Sequence, residues 1–102
     1  MKFNKLVRDR IPEIIKKNGE KPITHIADDK EYWEKLKKKL SEEVEEFSIN
    51  SNEEELADIL EVIEGICEFK KFDNEEIGRI KKEKAEKRGK FKEKIILDEV
   101  ED

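Results

Sequence analysis

Two long stretches of the sequence repeat apolar residues at three- and four-residue intervals, and only three residues separate them. An antiparallel pair of helices is therefore the unit around which the rest must fold. The first stretch follows Asp28 or Asp29, either of which can cap a helix, and carries Trp33, Leu36, Leu40, Val44 and Phe47 on one stripe. Asn50-Ser51-Asn52 interrupts it. Ser51 or Asn52 can cap a second long helix from Glu53 to about Lys71, with Leu56, Ile59, Leu60, Ile63, Ile66 and Cys67 as its apolar positions.

The flanking segments are shorter and more polar. Asp9 can cap a helix through Pro12, Ile14 and Ile15 that stops at Asn18-Gly19, and Lys21 to Ala27 reads as an extended connector. Asp73-Asn74 starts a last helix from Glu75 to about Arg88, ended by Gly89, with only Ile77, Ile80 and Ala85 to bury. The run Lys94-Ile95-Ile96-Leu97 has strand character and would lie on the body or on a partner subunit. The expected class is all-α, a small helical bundle built on an acidic helix hairpin.

Composition sets the limits on this bundle. With 102 residues the chain reads as one domain, residues 1–102; half of its residues are charged and 34% are hydrophobic, so its core is lean. A small domain of this kind often completes its core with a copy of itself, and a homo-oligomer, at least a dimer, is expected. The net charge is −5, and the lysines alternate with glutamates instead of gathering on one face, which disfavours capture of a nucleic-acid backbone. A lone Cys67 excludes an internal disulfide and a cysteine-based zinc cage; with no apolar N-terminal run, the expected location is the cytoplasm. No stretch of about 18 apolar residues exists to span a membrane.

The chemistry of the chain lies in its carboxylates. Glu42-Glu43-Val44-Glu45-Glu46 contains EExxE on the first long helix, and Glu55-Leu56-Ala57-Asp58 contains ExxD on the second. At about 100° per residue, Glu43 and Glu46 share one face, as do Glu55 and Asp58. Glu43 falls near the packed stripe while Glu45 points away from it, and Val62 sits angularly between Glu55 and Asp58, with Phe69 in the same sector. An apolar residue there argues that this flank does not simply face water. Like-charged groups about 4 Å apart repel by about 4 kcal/mol at an intermediate dielectric, so a convergent cluster calls for a cation. Oxygen ligands without histidine or thiolate select Mg²⁺, or Mn²⁺, before zinc or copper. Spacing alone is weak support, because EExxE should occur roughly once by chance in a chain this acidic, and solvated glutamates paired with lysines at i,i+4 would look the same. Two such pairs on consecutive helices of one hairpin are harder to obtain by accident.

Four segments taken together are more specific. Asn4-Lys5-Leu6-Val7-Arg8-Asp9-Arg10-Ile11-Pro12-Glu13-Ile14-Ile15, Lys39 to Phe47, Glu54 to Val62, and Lys87-Arg88-Gly89-Lys90-Phe91 followed by Ile95-Ile96-Leu97 occur in the order found in a known group. In these segments the chain resembles the all-α nucleoside triphosphate pyrophosphohydrolase superfamily, which includes MazG-type and phosphoribosyl-ATP enzymes. The resemblance implies a MazG-like bundle completed by oligomerisation. It implies that Glu43, Glu46, Glu55 and Asp58 ligate Mg²⁺, with Glu42 as a further ligand or a neighbour of the ligands. The implied reaction is metal-assisted attack of water on an α-phosphorus, expelling pyrophosphate, with Glu46 or Glu42 as the base. Lys5, Arg8 and Arg10, and more weakly Lys87, Arg88 and Lys94, become candidates for holding the substrate's phosphates. The short loop between the acidic helices departs from longer members and argues against a large base-recognition pocket.

The remaining singled-out residues have plainer readings. Trp33 on a helix stripe is more often core than a stacking platform, Cys67 reads as a small core residue, and His25 as a surface histidine. The alternative to an enzyme is a non-catalytic helical module that binds nucleotides or another protein.

Overall fold

In the computed structural model, which describes residues 3–102, two long helices run antiparallel, and the pairs that touch fix their register. Tyr32 and Trp33 meet Phe69, and a Cβ built on Gly65 would lie 3.4 Å from Leu36 Cδ2. The helices are α2 (Asp29–Asn50) and α3 (Glu53–Lys70), preceded by α1 (Ile11–Lys17) and followed by α4 (Asn74–Arg88). The described residues are all-helical, with no strand. The chain divides into two compact units, Met1–Lys70 with the hairpin and Lys71–Asp102 with α4.

The hairpin turn gives each of its residues one task. Ser51 takes the left-handed conformation (φ 46°, ψ 45°) that ends α2, donating its N–H to the Phe47 carbonyl at 2.7 Å and its hydroxyl to the same oxygen at 2.9 Å. Asn52 then opens α3, its side-chain oxygen accepting the Glu55 N–H at 2.9 Å. Of the two residues that could cap α2, Asp28 does so, accepting the Glu31 N–H at 2.9 Å. Asp9, expected to cap α1, does not: Arg10 holds that position and no side chain caps it. Pro12 suits the first turn because it has no N–H to satisfy there. In the second unit Asp73 caps α4 through the Glu75 N–H, and Gly89, at φ +85°, ends it with an N–H to the Ala85 carbonyl. Arg79 binds Glu76 and Glu83 along the exposed face of α4.

The seam between α2 and α3 is rotated from the expected stripes. Leu36, at 3% exposure, is the buried apolar side chain among the described residues, while Val44 is 46% exposed. On α3 the half-buried positions are Glu55, Asp58, Ile59, Val62, Gly65, Ile66, Cys67 and Phe69, whereas Leu56, Leu60 and Ile63 are exposed. The rotation has a steric cause. Gly65 lets Leu36 approach the α3 backbone, and the ring of Phe69 packs edge-on to Tyr32 and stacked on Trp33, which turns the Val62–Phe69 sector inward. The run Lys94–Leu97 is irregular and exposed, because no strand among the described residues offers it a ladder.

Gly65 supplies a measurable test of this packing. Its added Cβ would make ordinary contacts, 3.4 Å to Leu36 Cδ2 and 3.9 Å to the Tyr32 hydroxyl. Gly65→Ala is therefore expected to raise stability by about 0.5–1 kcal/mol through helix propensity. Gly65→Leu should lower the urea midpoint instead, since four further carbons cannot enter the seam without parting the helices.

Candidate metal centre

Antiparallel pairing sets the carboxylates of the two helices opposite one another near the hairpin turn. Glu43 of α2 and Glu55 and Asp58 of α3 each bring one carboxylate oxygen into a group lying within 4.8 Å of one another. Glu43 is 8% exposed, the buried charged residue among the described ones, because the seam rotates toward it and away from Val44. Its charge is met by Lys39, one turn earlier, with Nζ 3.1 Å from Oε1. Asp58 accepts a hydrogen bond from Arg8 Nη2 at 2.8 Å, and the other Arg8 nitrogen stands 4.0 Å from Glu61. The segment before α1 is further tied to the hairpin by Lys35, whose ammonium donates to the Asn4 carbonyl at 2.6 Å.

Glu55 differs from its neighbours. Asn50 Nδ2 donates to its Oε1 at 3.4 Å, but its Oε2 is buried and has no hydrogen-bond partner. Desolvation, then the charge of Glu46, push its carboxyl above the ordinary glutamate value of 4.5; Asp58 and Glu43 push the same way, against the Asn50 hydrogen bond. A buried carboxylate oxygen with no donor is costly, and a hard cation is the partner that would satisfy it. The donor set fits Mg²⁺, being all oxygen with no nitrogen or sulfur.

A sign follows for pH. A carboxyl whose folded value is raised adds stability when protonated: the gain is fully present below 4.5 and is lost as pH rises through the raised folded value. Without metal, this group should make the protein slightly less stable as pH rises through that window. With Mg²⁺ the effect reverses, since the ion competes with the proton, and calorimetric affinity should fall as pH is lowered toward the raised value.

The other sequence candidates are distributed around this centre. Glu46 is exposed and outside the three-residue group, though close enough for its charge to act on Glu55. Glu42 lines a shallow recess with Lys5, Leu6, Lys35, Lys38 and Lys39. Arg8 reaches the centre, whereas Arg10 is exposed at the start of α1. Lys87 and Arg88 occupy the last turn of α4, in the second unit, and Lys94 is exposed beyond it. Trp33 stacks on Phe69 and has Lys70 4.1 Å and Lys37 5.3 Å from its ring centroid, the arrangement of a packed aromatic. His25, read as a surface histidine, is exposed and has Nε2 2.9 Å from Glu31 Oε1. Lys39, Asn50 and Glu61 were not among the sequence candidates. Lys39 was visible as the i−4 neighbour of Glu43, but Asn50 and Glu61 meet the site only through the turn and the Arg8 segment.

Fold and site together define an all-helical protein with an oxygen-only candidate cation centre on a helix hairpin. No family model matches the sequence, and no solved structure matches it. An uncharacterized protein of Mycolicibacterium smegmatis is similar, 52% identical over 42 residues. That likeness spans 41% of this chain and 43% of the relative, less than half of each. No helix among the described residues is long and apolar enough to cross a membrane.

Proposed function

We propose that the chain is a Mg²⁺-dependent pyrophosphohydrolase that cuts a nucleoside triphosphate, or a related nucleotide, into the monophosphate and pyrophosphate. The observation that carries this reading is the convergence of Glu43, Glu55 and Asp58 within 4.8 Å, with one buried, partnerless oxygen on Glu55. The resemblance of the four sequence segments to the MazG-like superfamily adds the reaction type. In this reading the three carboxylates, with Glu46 on the adjacent turn, hold Mg²⁺, which supplies charge neutralisation and polarises the phosphate oxygens. Glu42 or Glu46 accepts the proton of the attacking water. Arg8, released from Asp58, turns its fork to the phosphates, and Lys5 and Arg10 lie on the same segment to assist. Lys87 and Arg88 are candidates for the phosphates on the resemblance alone. Cleansing the cell of non-standard nucleotides is the role that suits such chemistry, in the cytoplasm and in a homo-oligomer.

One observation favours a second reading, a helical module without catalysis: Lys39 and Arg8 already neutralise two of the three carboxylates. Incubating the purified chain with a nucleotide panel and Mg²⁺ separates the readings. Pyrophosphate should appear with at least one nucleotide and cease on chelation of the metal. Mg²⁺ titration giving no defined stoichiometry, with no pyrophosphate from the whole panel, would leave only the module.

A further inference from the structure

Of the three carboxylates in the acidic centre, Glu43 and Asp58 each have a cation beside them, and the two cations are held in different ways. Lys39 lies on α2 one turn before Glu43, and its side chain is 22% exposed, so that pair is local to one helix and half-buried. Arg8 comes from outside the helices. Its Nη2 donates to Asp58 Oδ1 at 2.8 Å and its Nη1 stands 4.0 Å from Glu61, with more than half of the side chain exposed. Exposed ion pairs of this kind contribute little and open readily.

The backbone that carries Arg8 is pinned on both sides. The Ile11 N–H donates to the Arg8 carbonyl at 3.1 Å, tying residue 8 to the first turn of α1, and Lys35 of α2 donates to the Asn4 carbonyl at 2.6 Å. Between these points Leu6 is half-buried in the shallow recess lined by Lys35, Lys38 and Lys39. Residues 4–8 therefore form a strap that starts on α2 and ends with a guanidinium on α3. Only that side chain, and not the backbone, has to swing for Asp58 to be released.

As a substitute for a metal ion the guanidinium is incomplete. It neutralises Asp58 and turns its other nitrogen to Glu61, while the buried Oε2 of Glu55 is left with no donor. A divalent ion held by Glu43, Glu55 and Asp58 would share a carboxylate with the guanidinium, and like charges at that spacing repel.

We propose that Arg8 and the divalent cation exclude one another at Asp58, so that metal entry expels the guanidinium, which stays tethered at the rim of the centre and then receives the substrate's phosphates. Metal binds first and nucleotide second. Lys35 is a positioning residue in this exchange, since it holds the strap and pairs with no carboxylate among the described residues. The exchange rests on the acidic centre taking a divalent ion, and its last step rests on the pyrophosphohydrolase reading. Linkage makes it measurable, because the strap weakens metal binding by the same factor as metal weakens the strap.

Calorimetric titration of the full chain with Mg²⁺ is the test, with helical circular dichroism expected to be the same in every variant. Arg8→Gln should bind Mg²⁺ about threefold to tenfold more tightly, the scale of one exposed ion pair and the repulsion removed with it. Lys35→Gln should shift the affinity in the same direction. Lys38→Gln removes a charge from the same recess, closer to Glu43 in sequence, but takes no anchor from the strap, and its shift should be the smaller. In Arg8→Gln the KM for the cleaved nucleotide should rise about tenfold while metal affinity improves, opposite signs that a purely structural arginine would not give. Metal binding that is unchanged or weaker in Arg8→Gln, or a Lys38→Gln shift as large as that of Lys35→Gln, would overturn the exchange and leave the metal centre standing. An unchanged KM would overturn the phosphate step. Absence of Mg²⁺ binding in every variant would sink the metal centre and the exchange with it, whereas tighter metal binding without pyrophosphate release from any nucleotide would sustain the exchange at Asp58 and sink the catalytic reading.

Discussion

Glu55→Gln is expected to remove Mg²⁺ binding and to lower pyrophosphate release by about 10²–10³-fold, the scale of several kcal/mol of lost charge stabilisation. The same substitution should leave the metal-free protein as stable as before or slightly more so. The buried Oε2 has no donor to lose, and Glu46, Asp58 and Glu43 all repel its charge. This opposition is what distinguishes a metal centre from an ion-pair cluster, in which every carboxylate would hold the fold together. Denaturation with and without Mg²⁺ reads both effects. In the unsubstituted protein the metal should add about 2.7 kcal/mol at a hundred times its dissociation constant, and in Glu55→Gln it should add nothing. Asp58→Asn makes a useful companion. Its pair with Arg8 is formed between side chains 56% and 41% exposed and contributes at most about 1 kcal/mol, so its loss should spare the fold while turnover collapses. Turnover at the unsubstituted rate in both variants would rule out the metal-assisted reaction.

Leu36→Ala is expected to have the largest effect on stability, a loss of about 2–5 kcal/mol. Leu36 is 3% exposed and fills the contact opposite Gly65, where no side chain of the facing residue can move in to close the cavity. Against a total of roughly 5–15 kcal/mol for an ordinary domain, and with so few buried side chains here, the variant should be partly unfolded at room temperature. Val44→Ala, one position from Glu43 on the same helix, should cost no more than about 0.5 kcal/mol in the isolated chain, because Val44 is 46% exposed. Urea denaturation of the pair checks the rotation of the seam directly: equal losses would mean that the apolar stripe as read from periodicity, with Val44 inside, is the packed one.

The helices and the turn between the long pair were legible in the sequence because their causes are local. Apolar periodicity, Asp28, Asn52 and Asp73 as caps and Gly89 as a stop act within a few residues of themselves. Strand character at Lys94–Leu97 was misleading, since β-branched residues favour an extended chain but cannot supply the neighbouring strand that a ladder requires. The cap of α1 was misplaced for a related reason, as a short helix that opens with Ile11 and Pro12 can begin without a side-chain acceptor.

The acidic pairs were also legible: EExxE and ExxD named Glu43, Glu55 and Asp58 before any coordinates, because spacing on a helix fixes which side chains share a face. Helical phase alone could not say which face of each helix meets the other. That was decided by the fit of Gly65 to Leu36 and of Phe69 to Tyr32 and Trp33, contacts between residues far apart in sequence whose shapes, and not their hydrophobicity, select the rotation. The rotation buried Glu43, left Val44, Leu56, Leu60 and Ile63 in water, and set Glu46 beside the centre while keeping it outside the three-residue group. Sequence by itself thus determined the carboxylates and the helices that carry them. Tertiary packing alone decided which of them converge, because convergence depends on how two surfaces interlock and not on the pattern of either one.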